Sequence, residues 1–198
     1  MRSKAEQTTK YIIETVAPLF NKKGYAATSM SDITKATGLT KGAIYGNFKN
    51  KEALAIEAFN KNISDLLMKI SLHQKQGNSP LQRLFLITDF YRTYYQYSKE
   101  LGGCPILNIG VDSKNQDTAL LERVRHVIEK TQNNIAKIVD SGKEAGEIKT
   151  SVNSILFSRR LYRKIQGAIF MAYTMDDPSY LEDAMDELDL LIEKDLKI

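Results

Sequence analysis

Cysteine occurs once in the 198 residues of this chain, tryptophan not at all, histidine twice and proline four times. A lone Cys104 forms no intramolecular disulfide and no cysteine-based zinc site, and His73 and His126 stand far apart in the sequence. No apolar run approaches the ~18 residues of a membrane-spanning helix, and the stretch from Met1 to Glu6 lacks the apolar core of a signal peptide. A phosphate-cradling glycine loop, paired His/Asp/Glu ligand spacings and a nucleophile-elbow serine are also missing. These absences lead to the expectation of a cytoplasmic protein that is not an enzyme, with no metal, no cofactor and no membrane partner. At 42% hydrophobic and 26% charged, with 11 glycines, the composition is that of an ordinary globular protein and excludes disorder and collagen-like repeats.

What is present is helical punctuation. Ser3-Lys4-Ala5-Glu6 has the form of a capping box, in which the serine side chain accepts from the N3 amide and the glutamate reaches back. A first helix is expected from there, with Ile12, Ile13, Val16 and Phe20 on one face, a kink at Pro18, and Gly24 as a left-handed cap after Lys22 and Lys23. Ser29-Met30-Ser31-Asp32 repeats the box and opens a two-turn helix that Gly38 stops. Thr40 opens a third short helix, and Asn50 caps a much longer one carrying Leu54, Phe59, Ile63, Leu67 and Ile70.

Beyond it, Ser79-Pro80-Leu81-Gln82 opens a helix rich in aromatics, with a stripe of Leu84, Thr88, Tyr91 and Tyr95. Residues 104–113 form a short segment of undetermined type. Two later stripes keep helical spacing: Leu121, Val124, Ile128, Thr131, Ile135 and Ile138, then Ile155, Ser158, Tyr162, Ile165, Ile169 and Ala172. A last helix carries Leu181, Met185, Leu188 and Ile192. The expected fold is all-α: a three-helix helix-turn-helix domain over residues 1–50, and a helical bundle over residues 51–198.

Charge divides the same way. Residues 1–51 carry nine Lys/Arg against Glu6, Glu14 and Asp32, a net of +6, which leaves 19 basic and 21 acidic residues for the remainder. A basic head suits a polyanion, because cations that neutralise phosphates release counterions; the plainer alternative is a solvated face. A short helix, a Gly38 turn and a second short helix make the helix-turn-helix pattern, whose second helix enters the major groove of duplex DNA. Gly42 costs about 1 kcal/mol in that helix relative to alanine, and the absence of a side chain there allows close approach to the groove. Tyr45 and Lys51 are candidate phosphate contacts, against the alternatives of a core tyrosine and a solvated lysine.

The string Gly24-Tyr25, Thr28-Ser29, Asp32-Ile33, Gly38-Leu39-Thr40-Lys41-Gly42-Ala43-Ile44-Tyr45, Asn47-Phe48 and Lys51-Glu52-Ala53-Leu54 closely resembles the DNA-binding segment of the TetR family of bacterial repressors. The resemblance runs in register over residues 8–55, with Gly46 replacing the bulkier residue common in the family. It implies an all-helical homodimer, a double-stranded palindromic operator and a small-molecule inducer bound by the larger domain. By position it places Thr40, Lys41 and Gly42 at base edges and Tyr45, Asn47 and Lys51 on phosphates, with Thr28 and Ser29 completing the DNA-facing set.

For the ligand, the candidates are Tyr91, Tyr95, Cys104 and Asn108, weighed against an aromatic core and an inert buried thiol. The two C-terminal helices, over 153–175 and 178–196, are expected to pair with those of a second copy, leaving Glu182, Asp183, Asp186, Glu187 and Asp189 on the rim. The expected function is a ligand-responsive repressor. The alternative is a helical protein-interaction adaptor without DNA binding.

Overall fold

A computed structural model describes residues 3–115 and 118–198 of the chain. The described residues form α1 (Lys4–Ala27), α2 (Met30–Thr37), α3 (Lys41–Asn47), α4 (Lys51–Gln74), α5 (Pro80–Arg92), α6 (Tyr94–Glu100), α7 (Pro105–Asp112), α8 (Thr118–Glu144), α9 (Ser154–Met175) and α10 (Ser179–Leu191). A 3-10 turn, Ser113–Asn115, follows α7, and a π turn, Ile192–Leu196, follows α10. Among them there is no strand; an isolated bridge joins Ile148 and Lys197. The fold is all-α, as the periodicities require. The chain divides into two compact units, Met1–Leu66 with Glu100–His126, and Leu67–Lys99 with Val127–Ile198.

In the first unit, the Ser3 box holds: Glu6 N–H donates to Ser3 Oγ at 3.2 Å, and Ser3 N–H to Glu6 Oε2 at 2.7 Å. Ile12, Val16 and Phe20 of α1 close a core with Ile33 of α2, Ile44 of α3, and Leu54, Phe59 and Ile63 of α4. Each such buried side chain contributes about 1.5–3 kcal/mol. The break in helical dihedrals falls at Gly24, not at the expected Pro18. Nor is Gly24 a left-handed cap: with φ 81° and ψ 167° it takes a conformation open essentially to glycine alone, and one more turn follows to Ala27. The stretch 104–113 resolves as a helix, α7, which packs on α1. This unit thus extends past the boundary expected at residue 50, because α7 supplies partners to the end of α1.

In the second unit, Ser79 caps α5 as expected, accepting Gln82 N–H at 3.3 Å, and Glu147 Oε2 accepts Leu81 N–H at 3.0 Å. The aromatic helix is two helices, separated at Thr93. Its core joins Leu84, Ile87 and Tyr91 to Val139 of α8, to Leu161, Ile165 and Ile169 of α9, and to Leu181, Met185 and Leu188 of α10. The buried face of α8 is wider than the expected stripe: Val124 and Ile135 are buried as expected, Val127, Ala136 and Val139 are buried beside them, and Ile128 and Ile138 are half-buried. At the start of α9, Ile155 faces outward. Asp189 is not a rim acid, since its carboxylate accepts Thr88 Oγ1 at 2.5 Å and Arg92 at 2.6 Å. Asp186 and Glu187 are also engaged, with Arg92 and Lys164.

Candidate functional site

The helix-turn-helix is built from bonds that its own sequence supplies. Ser29 Oγ accepts Asp32 N–H at 3.1 Å, and Asp32 Oδ2 accepts Ser29 N–H at 2.9 Å. Asp32 also takes Lys23 Nζ at 2.7 Å, and this bond, with those from Ser29, holds its carboxyl far below the usual range. Gly38 turns the chain in the left-handed region, φ 68° and ψ 9°, and donates to Thr34 O at 2.9 Å. Thr40 Oγ1 then accepts Ala43 N–H at 3.2 Å to open α3.

Ile44 is buried and anchors α3, which leaves Lys41, Gly42, Tyr45 and Gly46 together on its exposed face. A Cβ added at Gly42 would meet only Thr40 Oγ1, at 3.9 Å, and one at Gly46 would meet nothing within 4 Å. The face therefore presents backbone flanked by a cation and a phenol, with Lys41 Nζ 5.8 Å from the centre of the Tyr45 ring. Such a surface permits close approach to a flat or grooved polyanion. Tyr45 is 41% exposed, so the core alternative does not describe it.

Two sequence candidates are held otherwise. Thr28 is fully buried and donates to Gly24 O at 2.6 Å. Asn47 donates to Ala43 O at 2.9 Å and accepts Thr9 Oγ1 at 2.7 Å, so its amide braces α3 against α1. Tyr11, which sequence reasoning missed, does the same for α2 by donating to Thr37 O at 2.9 Å. Lys51 is half-buried, its Nζ 4.4 Å from the centre of the Tyr25 ring. Burial pushes its ammonium pKa down, and the charge of Asp112 pushes it back up.

Asp112 Oδ2 accepts Ala26 N–H at 2.9 Å. Asn108 donates to Asn21 O at 2.9 Å and Gly102 O at 2.8 Å, while buried Asn21 donates to Leu101 O and Gly103 O. Asn108 and the buried thiol of Cys104 thus belong to the packing of α7 in the first unit.

The second unit contains a cavity of about 360 Å³. Buried Ile87, Ile135 and Ile165 line it with the rings of Tyr91 and Tyr162. Ser71, Lys130 and Asn134 line its exposed edge, with Gln74 and Thr131 between. Of the four ligand candidates read from sequence, Tyr91 alone lines this cavity. Tyr95 lies elsewhere in the unit, bonded to Asp176 and to Lys99, whose ammonium is pushed up to about 12 by Asp176 and then Tyr95. The signal that could have located the cavity is on α8, where Lys130, Thr131, Asn134, Ile135 and Ile138 share one helical face that is polar at one side and apolar at the other.

Among the described residues no group of His, Cys, Asp or Glu is placed to hold a metal ion, and no helix is long and apolar enough to cross a membrane. The family model for bacterial regulatory proteins of the tetR family matches residues 12–58, and that for the tetracyclin repressor-like C-terminal domain matches residues 80–188. A TetR-family transcriptional regulator from Cytophaga hutchinsonii is similar to this chain with a TM-score of 0.92 and 31% identity, over 100% of this chain and 98% of that one. A TetR transcriptional regulator from Chloroflexus aurantiacus gives 0.91 and 32%, over 98% of each chain. The HTH-type transcriptional repressor DhaR of a Mycobacterium strain is 24% identical over 81% of this chain and 79% of its own. With family models matching both halves and full-length likeness above 30% identity, this chain belongs to the TetR family of bacterial transcriptional regulators, and it is a regulator rather than an enzyme.

Proposed function

We propose that this protein is a repressor that binds a palindromic operator as a homodimer and is released from it by a small, mostly apolar inducer. The observation that carries the DNA-binding part is the exposed face of α3, where Gly42 and Gly46 leave backbone bare between Lys41 and Tyr45. In this proposal Thr40, Lys41 and Gly42 meet base edges, while Ser29, Tyr45 and Lys51 meet phosphates. Thr28 and Asn47 act from behind, holding the α2 entry and α3 in register. The similarity to a named repressor supports the sign of regulation.

Dimerisation is proposed through α9 and α10. Phe170, Met171 and Met175 of α9 are exposed, as is Tyr180 of α10, and a Cβ added at Gly167 of α9 would meet nothing within 4 Å. Apolar side chains grouped in this way favour a second copy, and a palindrome needs a two-fold protein. Inducer response is proposed at the cavity of the second unit. Helix α4 carries Lys51 at its first residue, and Leu67 and Ile70 near its end line that cavity, so a ligand that displaces α4 biases the DNA contacts. The ligand acts only through its preference for one of two states.

Selection of bound sequences from a random duplex pool tests the DNA-binding part, and enrichment of a palindrome is expected. No enriched site, or binding whose affinity is flat with salt, would instead favour a protein-binding adaptor. Light scattering at micromolar concentration tests the dimer. A strictly monomeric species refutes it.

A further inference from the structure

The cavity of the second unit is chemically one-sided. Its floor is aliphatic and aromatic, made by Ile87, Ile135 and Ile165 with the Tyr91 and Tyr162 rings, all buried. Its mouth is polar and solvent-exposed at Ser71, Lys130 and Asn134. Lys130 is the single charged residue among the described residues that line it, and no Asp or Glu does. None of the ion pairs among the described residues involves Lys130. The cavity therefore offers an unneutralised cation at the opening of an apolar chamber.

We infer that the cavity takes a singly charged anionic amphiphile, a carboxylate on an apolar body of about ten carbons, with its head at Lys130 and Asn134 and its body among Ile87, Ile135 and Ile165. This rests on the ligand-responsive reading proposed above and names the ligand class for that site. The size follows from the volume: 360 Å³ at ~30 Å³ per water-sized atom holds about a dozen heavy atoms. The charge follows from the lining. A cationic head would meet the ammonium of Lys130 at the mouth, where like charges a few ångströms apart repel. A wholly apolar ligand would cover the mouth amide and hydroxyl without replacing their water bonds. A second negative charge would find no second cation. A monocarboxylate satisfies the ammonium and the Asn134 amide together and buries its chain.

The test is titration calorimetry of the full-length protein with decanoate, 1-decanol and decylamine, which share a chain and differ in head charge. One decanoate per chain is expected, bound about tenfold or more tightly than decanol, with decylamine weakest. Lys130→Gln is an exposed substitution, checked for an unchanged melting temperature. It is expected to weaken decanoate by about five- to tenfold and to move decanol by less than about twofold. Equal affinity for decanoate and either uncharged or cationic probe overturns the inference, as does a Lys130→Gln variant that binds decanoate unchanged, or a protein that binds none of the three. Operator affinity measured beside each titration separates this outcome from the switch. If decanol binds as well as decanoate and weakens operator binding, the switch stands and the anion inference falls. If decanoate binds with the expected preference and operator affinity does not move, the inference stands and the switch falls.

Discussion

The Asp112 carboxylate accepts the backbone N–H of Ala26 at 2.9 Å, across 86 positions of sequence. It also stands against Gly24, where an added Cβ would lie 3.0 Å from Asp112 Oδ2. One side chain of α7 thus closes the last turn of α1 after its break and biases the charge of Lys51. Asp112→Ala is expected to remove an end-capping bond worth about 0.5–2 kcal/mol. Urea unfolding should show the lower stability, and Asp112→Asn, which keeps an acceptor oxygen, should recover most of it.

Tyr45→Phe and Lys51→Ala are expected to weaken binding to operator and to unrelated duplex in parallel, since both groups are proposed to meet phosphates. For Lys51→Ala the slope of log affinity against log salt should fall by about 1. Fluorescence anisotropy with labelled duplexes over a salt series measures both effects. A Lys51→Ala variant that loses specificity but keeps its salt slope would move Lys51 away from the phosphate role.

Gly42→Ala separates stability from binding. The added methyl meets only Thr40 Oγ1, at 3.9 Å, and alanine is favoured over glycine in a helix by up to about 1 kcal/mol. The variant is expected to melt a few degrees higher and, if Gly42 meets base edges as proposed, to bind operator more weakly because the methyl would stand in the contact. Loss of stability would contradict the open geometry; unchanged operator affinity would place Gly42 outside the contact.

Asp140 supplies a pH test. Its carboxyl is lowered from the usual value, first by the hydrogen bond from Ser154 and then by that from Lys143. A depressed folded-state pKa stabilises above the unfolded value, near pH 4, and that contribution is lost as pH falls through the folded value. Asp140→Asn should therefore flatten the stability profile in the acid range below about pH 4 and lower stability at neutral pH. Thermal melts from pH 2 to pH 7 show whether the two profiles converge at the acid end.

The parts of the molecule that were legible in the sequence are those closed by bonds within three or four positions. The Ser3 and Ser29 boxes, the Thr40 and Asn50 caps and the Ser79-Pro80 start use side chains beside the backbone groups that they satisfy, and the Gly38 turn closes through its own backbone N–H to Thr34 O. On α3 local spacing left Tyr45 open between core and surface, and its outward position followed from the resemblance. The Thr9–Asn47 brace, the Asn21–Gly103 bond and the Asp112–Ala26 bond join distant segments and leave no local pattern. The break at Thr93 carries neither glycine nor proline to announce it. On α8 the expected apolar stripe admitted Ile128 and passed over Val127 and Val139, because an amphipathic helix that also lines a cavity has an apolar face too wide for one stripe to define.

The way in which α7 closes the end of α1 also bears on how interchangeable such DNA-binding heads are. Asn21 finds its acceptors at Leu101 and Gly103, and Ala26 finds its acceptor at Asp112. A chimaera that grafts residues 1–50 onto another regulator would leave these donors facing a foreign segment in place of residues 101–112. Residues 1–66 and 100–126 form one compact unit, and recombination that respects only the linear boundary would separate the Ala26 amide from the carboxylate that accepts it.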